Sequence, residues 1–248
     1  MDVGLNSNLK WQTVANSTLT KKRSTAYGST VALKSAMAVT GAILVLYLIA
    51  HMYGNLKVFS GQEAFDGYAH SLRELGYPLL PESGFLWIFR LVLLASVLIH
   101  IYAAVTLWGR ARRARPASER YQVKKRVQRT YASYTMRWGG VLVALFVIFH
   151  ILHLTTNDIA PGGRSDSAYE RLVNGFQPEF WYVTLFYVAS VIAVGFHLRH
   201  GIWSGLATLG VNKAGRQGTI NAIAVGISLV VTVGFLLPPL AVTFGLVS

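Results

Sequence analysis

Long apolar runs alternate with short polar, charged segments along most of the chain. Residues 35–56, 91–109, 138–157, 180–198 and 217–248 contain no Lys, Arg, Asp or Glu. At about 1.5 Å of rise per residue, each is long enough to cross about 30 Å of hydrocarbon as a helix. Allowing for helical ends, the pattern predicts spans at about 31–57, 84–109, 131–157, 180–208 and 218–246. Residues 61–77 are of mixed polarity and predict a short surface helix ahead of Pro78 and Pro81. The fifth span is rich in Val, Leu and Ile and is expected to serve packing, with a break near Pro238 and Pro239. The first thirty residues are polar, without an apolar core segment, so no cleaved signal peptide is expected.

Composition agrees with this pattern. Of 248 residues, 53% are hydrophobic and 13% charged, and the mean hydropathy is +0.43, a balance foreign to ordinary soluble domains. The net charge of +13 would suggest nucleic acid in a soluble protein, but its placement says otherwise. Residues 1–34 carry five Lys or Arg, residues 109–137 ten and residues 210–218 two, against Asp2 and Glu119 as the only acids there. The two other connections, about 57–90 and 157–179, hold five bases and eight acids. By the positive-inside rule the N-terminus is cytoplasmic and the C-terminus outside. Residues 1–30 then form a cytoplasmic segment, and residues 31–248 a five-helix transmembrane domain in a bacterial or archaeal cytoplasmic membrane. The basic linker at 110–129 is expected to meet anionic lipid or an acidic cytoplasmic partner rather than nucleic acid.

The candidate chemistry is histidine. The chain has no cysteine, which excludes disulfides, thiolate-ligated clusters and covalent haem c. Six of seven histidines fall in four consecutive spans: His51, His100, His150 with His153, and His197 with His200, while His70 lies in the outer segment as a solvated side chain. Polar side chains are costly in hydrocarbon and mark function. His100 lies about 15 Å, and His197 about 16 to 20 Å, from the cytoplasmic ends of their helices; His150 and His51 lie about 20 and 25 Å in. Two levels of paired histidines in four helices predict an all-α integral membrane fold whose first four helices form a di-haem bundle. With both axial positions of each iron filled, electron transfer is the expected role.

An internal repeat assigns partners. Met37, Gly41 and His51 recur 99 residues later as Met136, Gly140 and His150. This pairs His51 with His150 in preference to the alternate His153. His100 with Ala104 resembles His197 with Gly201, which favours His197 over the alternate His200. Helix faces do not decide either choice, since positions three apart share a face. The losing histidine would be left to a propionate or a backbone carbonyl. The glycines Gly41, Gly139, Gly140, Gly195, Gly201 and Gly205 permit close helix contact.

Three stretches, HMYGNLKVF from His51, MRWGGVLVALFVIFHILHL from Met136 and FHLRHGIWSGLATLG from Phe196, resemble the di-haem cytochrome b membrane anchor of succinate:quinone oxidoreductases and quinol:fumarate reductases. The resemblance is to the single-polypeptide, five-helix form and covers about residues 30–248. In related anchors the fourth-helix ligand is followed by glycine after four residues and again nine later, as with His197, Gly201 and Gly210. The resemblance implies two haem b groups, a flavoprotein and an iron-sulfur subunit docked on the cytoplasmic side, and electron delivery to menaquinone or ubiquinone. It implies no dicarboxylate site in this chain.

Single-haem relatives carry a quinone-site Ser-x3-Arg, which Ser133 and Arg137 match. By that likeness Ser133 would donate to a quinone carbonyl and Arg137 would stabilise negative charge developing on the quinone; a helix-start serine and a snorkelling arginine are the plainer alternative. One departure stands out: some di-haem fumarate reductases have a glutamate two residues before the fourth-helix histidine, where this chain has Gly195. A proton path through that position is therefore not implied. Rival readings are the di-haem subunit of a formate dehydrogenase, hydrogenase or nitrate reductase, and a histidine-relay transporter, which would be colourless.

Overall fold

The computed structural model describes residues 28–113, 131–211 and 214–248. Among them the long helices are α1 (Thr30–Leu56), α3 (Gly84–Arg113), α4 (Tyr131–His150), α6 (Trp181–Thr208) and α7 (Gln217–Thr243). Two short helices, α2 (Gln62–Glu74) and α5 (Ala168–Gly175), lie in the connections. The five long segments are long and apolar enough to cross a membrane. Leu46, Leu94, Leu145, Leu185 and Leu229, one on each, are all more than half exposed. Water would not tolerate such an outer surface, but lipid does.

α1 and α6 are the central rods. α1 packs against α3, α6 and α7, while α6 packs against α1, α4 and α7. Small residues let α7 approach both: a side chain at Gly234 would run into Met52 of α1, and one at Gly195 of α6 would run into the Thr232 hydroxyl. Polar links reinforce the α6–α7 seam. Ser228 Oγ donates to the Gly195 carbonyl at 2.6 Å, Arg199 donates to Asn221 at 3.2 Å, and the Thr184 and Thr243 hydroxyls meet at 2.6 Å. Such links hold helices together where burying apolar surface gives no net gain.

The fifth span does not break at its prolines. α7 runs through Pro238 and Pro239 to Thr243, contrary to the sequence expectation. Proline lacks an N–H, so the carbonyls of Gly234 and Phe235 lose their i+4 donors, but transmembrane helices tolerate this near an end where neighbours supply packing. Both rings are buried, and Thr243 Oγ1 donates back to the Pro239 carbonyl at 2.9 Å.

The two ends of the bundle differ. At the basic end, Arg110 donates to the Gly28 carbonyl at 2.7 Å and to Thr30 Oγ1 at 3.2 Å, tying α3 to the entrance of α1. The opposite end is covered by α2, α5 and their flanking turns, and a buried apolar cluster forms under them, with Val58, Tyr169, Leu172 and Phe176 among its members. Asp66 of α2 holds this cap to α5: it accepts from Ser167 Oγ at 2.6 Å and from the Tyr169 amide at 3.0 Å. Ser167 in turn caps α5 by accepting from the Glu170 amide at 3.1 Å. Asp66→Ala is expected to cost about 2 kcal/mol, in line with hydrogen bonds to a charged group. Limited proteolysis of the purified protein in detergent should show faster cleavage within residues 156–179, with Asp66→Asn intermediate.

Candidate functional site

Two pairs of histidines face each other inside the bundle, one above the other. Near the cap, the rings of His51 on α1 and His150 on α4 lie 5.7 Å apart between centroids, at 82°. Nearer the basic end, His100 on α3 and His197 on α6 lie 6.3 Å apart, at 59°. Neither α1 with α4 nor α3 with α6 is among the helix pairs in extensive backbone contact, so each pair spans a gap. Two imidazoles sharing one metal ion in line would leave roughly 6 Å between centroids, at about 2 Å per metal–nitrogen bond and about 1 Å from nitrogen to ring centre.

The repeat acquires a geometric meaning. A Cβ on Gly41 would lie 3.4 Å from His100 Cε1, and one on Gly140 would lie 3.6 Å from His197 Cε1. In each repeat, therefore, the glycine backs the basic-end pair while the histidine ten residues later belongs to the cap-end pair. Ten residues of helix set the two levels about 15 Å apart.

Local hydrogen bonds orient two of the four rings. Thr40 Oγ1 lies 2.8 Å from the Ala36 carbonyl, to which it donates, and 3.3 Å from His100 Nδ1. With its proton committed, the hydroxyl accepts from His100 Nδ1–H, leaving Nε2 free as a ligand. His150 Nδ1 lies 3.3 Å from the Tyr187 hydroxyl on α6. His51 stacks on Tyr47 at 5.2 Å and meets Phe235 of α7 at 5.7 Å. The Nδ1 of His197 is buried without a partner among the described residues.

The alternates sit elsewhere. α4 passes into a π-helical turn over Ile151–Thr155, and His153 on that turn is 1% exposed. Its Nδ1 is 2.9 Å from the Tyr187 hydroxyl, and its ring stacks on Phe149 at 5.5 Å. A Cβ on Gly175 would lie 2.6 Å from its Nε2, so nothing fits between that nitrogen and α5. His200 packs near Trp203 at 6.2 Å. His70 is exposed beside Glu74 at 3.7 Å. Ser133 and Arg137 fall on the first turns of α4, but their side chains lie outside the described residues, as do residues 114–130 of the basic linker.

The donor set is informative in itself. Among the described residues no three His, Cys, Asp or Glu cluster to hold a bare ion. Imidazole suits iron, and two nitrogens at each level suit an iron whose other positions a macrocycle fills. Sequence reasoning missed Thr40, Tyr187 and Phe235. Only Tyr187 carried a usable signal: it lies ten residues before His197, the same interval that separates the two levels on α1 and α4.

The sequence model of the family described as Succinate dehydrogenase/Fumarate reductase transmembrane subunit matches residues 111–236, just over half of the chain. The chain belongs to that family. No curated protein and no solved structure matches it. As a succinate dehydrogenase/fumarate reductase transmembrane subunit, it is a multi-pass membrane anchor of a respiratory complex whose catalytic subunits are separate chains. Members of the family often bind haem b. The matched stretch contains His150, His153, His197 and His200, while His51 and His100 precede it.

Proposed function

We propose that this subunit binds two b haems, one between His51 and His150 and one between His100 and His197, and carries electrons between a docked iron-sulfur protein and membrane quinone. The observation that carries the reading is the meeting of four histidines from four helices in two facing pairs, at 5.7 and 6.3 Å. Haem b bound there would supply reversible one-electron storage at two depths. This chain's residues do the rest. Thr40 and Tyr187 hold the ring nitrogens of His100 and His150, Gly41 and Gly140 keep space beside the basic-end pair, and Tyr47 and Phe235 shield His51 from lipid. His153 is set apart from the ligand set because Gly175 closes its Nε2; His200 is set apart because it packs by Trp203 rather than against a facing histidine.

The orientation follows from charge. The basic end faces the cytoplasm, where the flavoprotein and iron-sulfur subunits dock, and the acid-rich cap faces outward. A haem held by His100 and His197 would lie on the side of the docked iron-sulfur protein and would be its electron acceptor. Menaquinone or ubiquinone binds near the basic end of α4, with Ser133 donating to a carbonyl and Arg137 balancing the charge of the reduced ring. A glutamate-based proton path beside the fourth-helix histidine has no place here, because a side chain at Gly195 meets Thr232.

The test is a reduced-minus-oxidised spectrum with pyridine haemochrome quantification on the purified subunit. About two b haems per chain are expected; a colourless preparation would remove the proposal.

A further inference from the structure

Tyr187 stands between two histidines of different standing. Its hydroxyl lies 3.3 Å from His150 Nδ1 and 2.9 Å from His153 Nδ1, and a tyrosine hydroxyl has a single proton to donate. If His150 ligates through Nε2, its Nδ1 carries a proton and donates to the Tyr187 oxygen. The Tyr187 proton then goes to its other hydrogen-bond partner among the described residues, His153 Nδ1, which accepts it. That fixes the third ring as well: His153 carries its own proton on Nε2, the buried nitrogen that abuts Gly175 and has no hydrogen-bond partner among the described residues. The three groups thus admit one consistent arrangement, His150 Nδ1–H to Tyr187 O–H to His153 Nδ1. Its direction runs away from the cap-end pair toward α5.

We infer that Tyr187 and His153 are positioning residues for the cap-end haem, forming a directional hydrogen-bond relay that holds His150 with Nε2 turned to the iron. The surroundings are built to keep the relay rigid. Phe176 meets the Tyr187 ring edge-on at 4.7 Å and His153 at 5.5 Å, and Phe146 meets Tyr187 at 5.0 Å. Phe149 stacks on His153 from the other side. His153 sits on the π-helical turn three residues beyond His150, and both imidazoles reach the same hydroxyl. Among the described residues no equivalent relay serves the other level, where Thr40 spends its proton on its own helix. The two haems would therefore differ in how their ligands are held, and the acceptor at His150 Nδ1 would make that imidazole a stronger donor to iron than it is without Tyr187.

The inference rests on the di-haem reading, and one set of measurements separates the two. Redox titration of the b-type absorbance is done on the complex in isolated membranes, with the cap-end haem identified as the one missing in His51→Ala. Tyr187→Phe should keep both haems, raise the midpoint potential of the cap-end haem alone, and loosen that haem by roughly 10- to 100-fold, as loss of a ligand's outer hydrogen bond does. His153→Leu should shift the same haem in the same direction. His153→Gln, whose carbonyl can still accept from Tyr187, should restore the wild-type potential. A wild type without haem overturns both the di-haem reading and the relay. A wild type with two haems, and a Tyr187→Phe variant with unchanged potentials, overturns the relay alone. So does a His153→Leu variant that loses the cap-end haem outright while His150→Leu keeps it.

Discussion

Replacing His51 with alanine should lower the haem content from about two to about one per chain and leave the basic-end haem spectrally intact. The expectation comes from the separation of the levels. His100 and His197 lie about 15 Å along the helices from His51, and their contacts to Thr40, Gly41 and Gly140 do not involve the cap-end rings. His150→Ala should give the same spectrum as His51→Ala, because either change leaves one imidazole where six-coordinate iron needs two. His51→Ala combined with His100→Ala should abolish haem binding. His153→Ala should keep both haems, since its Nε2 is closed off by Gly175. Loss of both haems from either cap-end single variant would mean that the levels are not independent.

A second large effect is expected from glycines that carry no chemistry. Gly41→Leu or Gly140→Leu should remove the basic-end haem selectively, although both glycines sit on the helices that bear the cap-end ligands. A Cβ at these positions already lies at 3.4 and 3.6 Å from His100 and His197, so the remainder of a leucine would push the imidazole aside. Overpacking of this kind costs about 1–3 kcal/mol, or roughly 5- to 150-fold in haem retention. Gly139→Leu is the matched control, since a Cβ there meets nothing within 4 Å. Haem counted after purification in detergent would read the difference. Equal damage from Gly139→Leu would assign the effect to helix packing in general.

The spans were legible because lipid imposes one requirement on all of them, an apolar surface of fixed length, and that requirement is written residue by residue. The ends were legible from charge. Facing histidines were legible for a less general reason: the Met-x3-Gly-x9-His repeat places two histidines at one depth, and depth plus helix count leaves few ways to pair them. What escaped depends on neighbours distant in sequence. Tyr187 shares the ten-residue interval with His197, but what it touches is fixed only when α4 is set beside it. Phe235 lies in a span that looked like filler, yet it borders His51. The helix α5 owes its place to Asp66, about a hundred residues earlier, as the bond to Ser167 shows. The course of α7 through Pro238 and Pro239 depends on packing that no local propensity encodes.

Both facing pairs join a helix from the first half of the chain to one from the second: α1 to α4, and α3 to α6. Neither half owns a complete ligand set for either level. On the proposed assignment each iron is therefore a cross-link between two complementary fragments, and cofactor insertion and closure of the bundle become one event. Separately expressed halves, divided between α3 and α4, would meet through α1 against α6 and α7 and be locked together when haem is supplied.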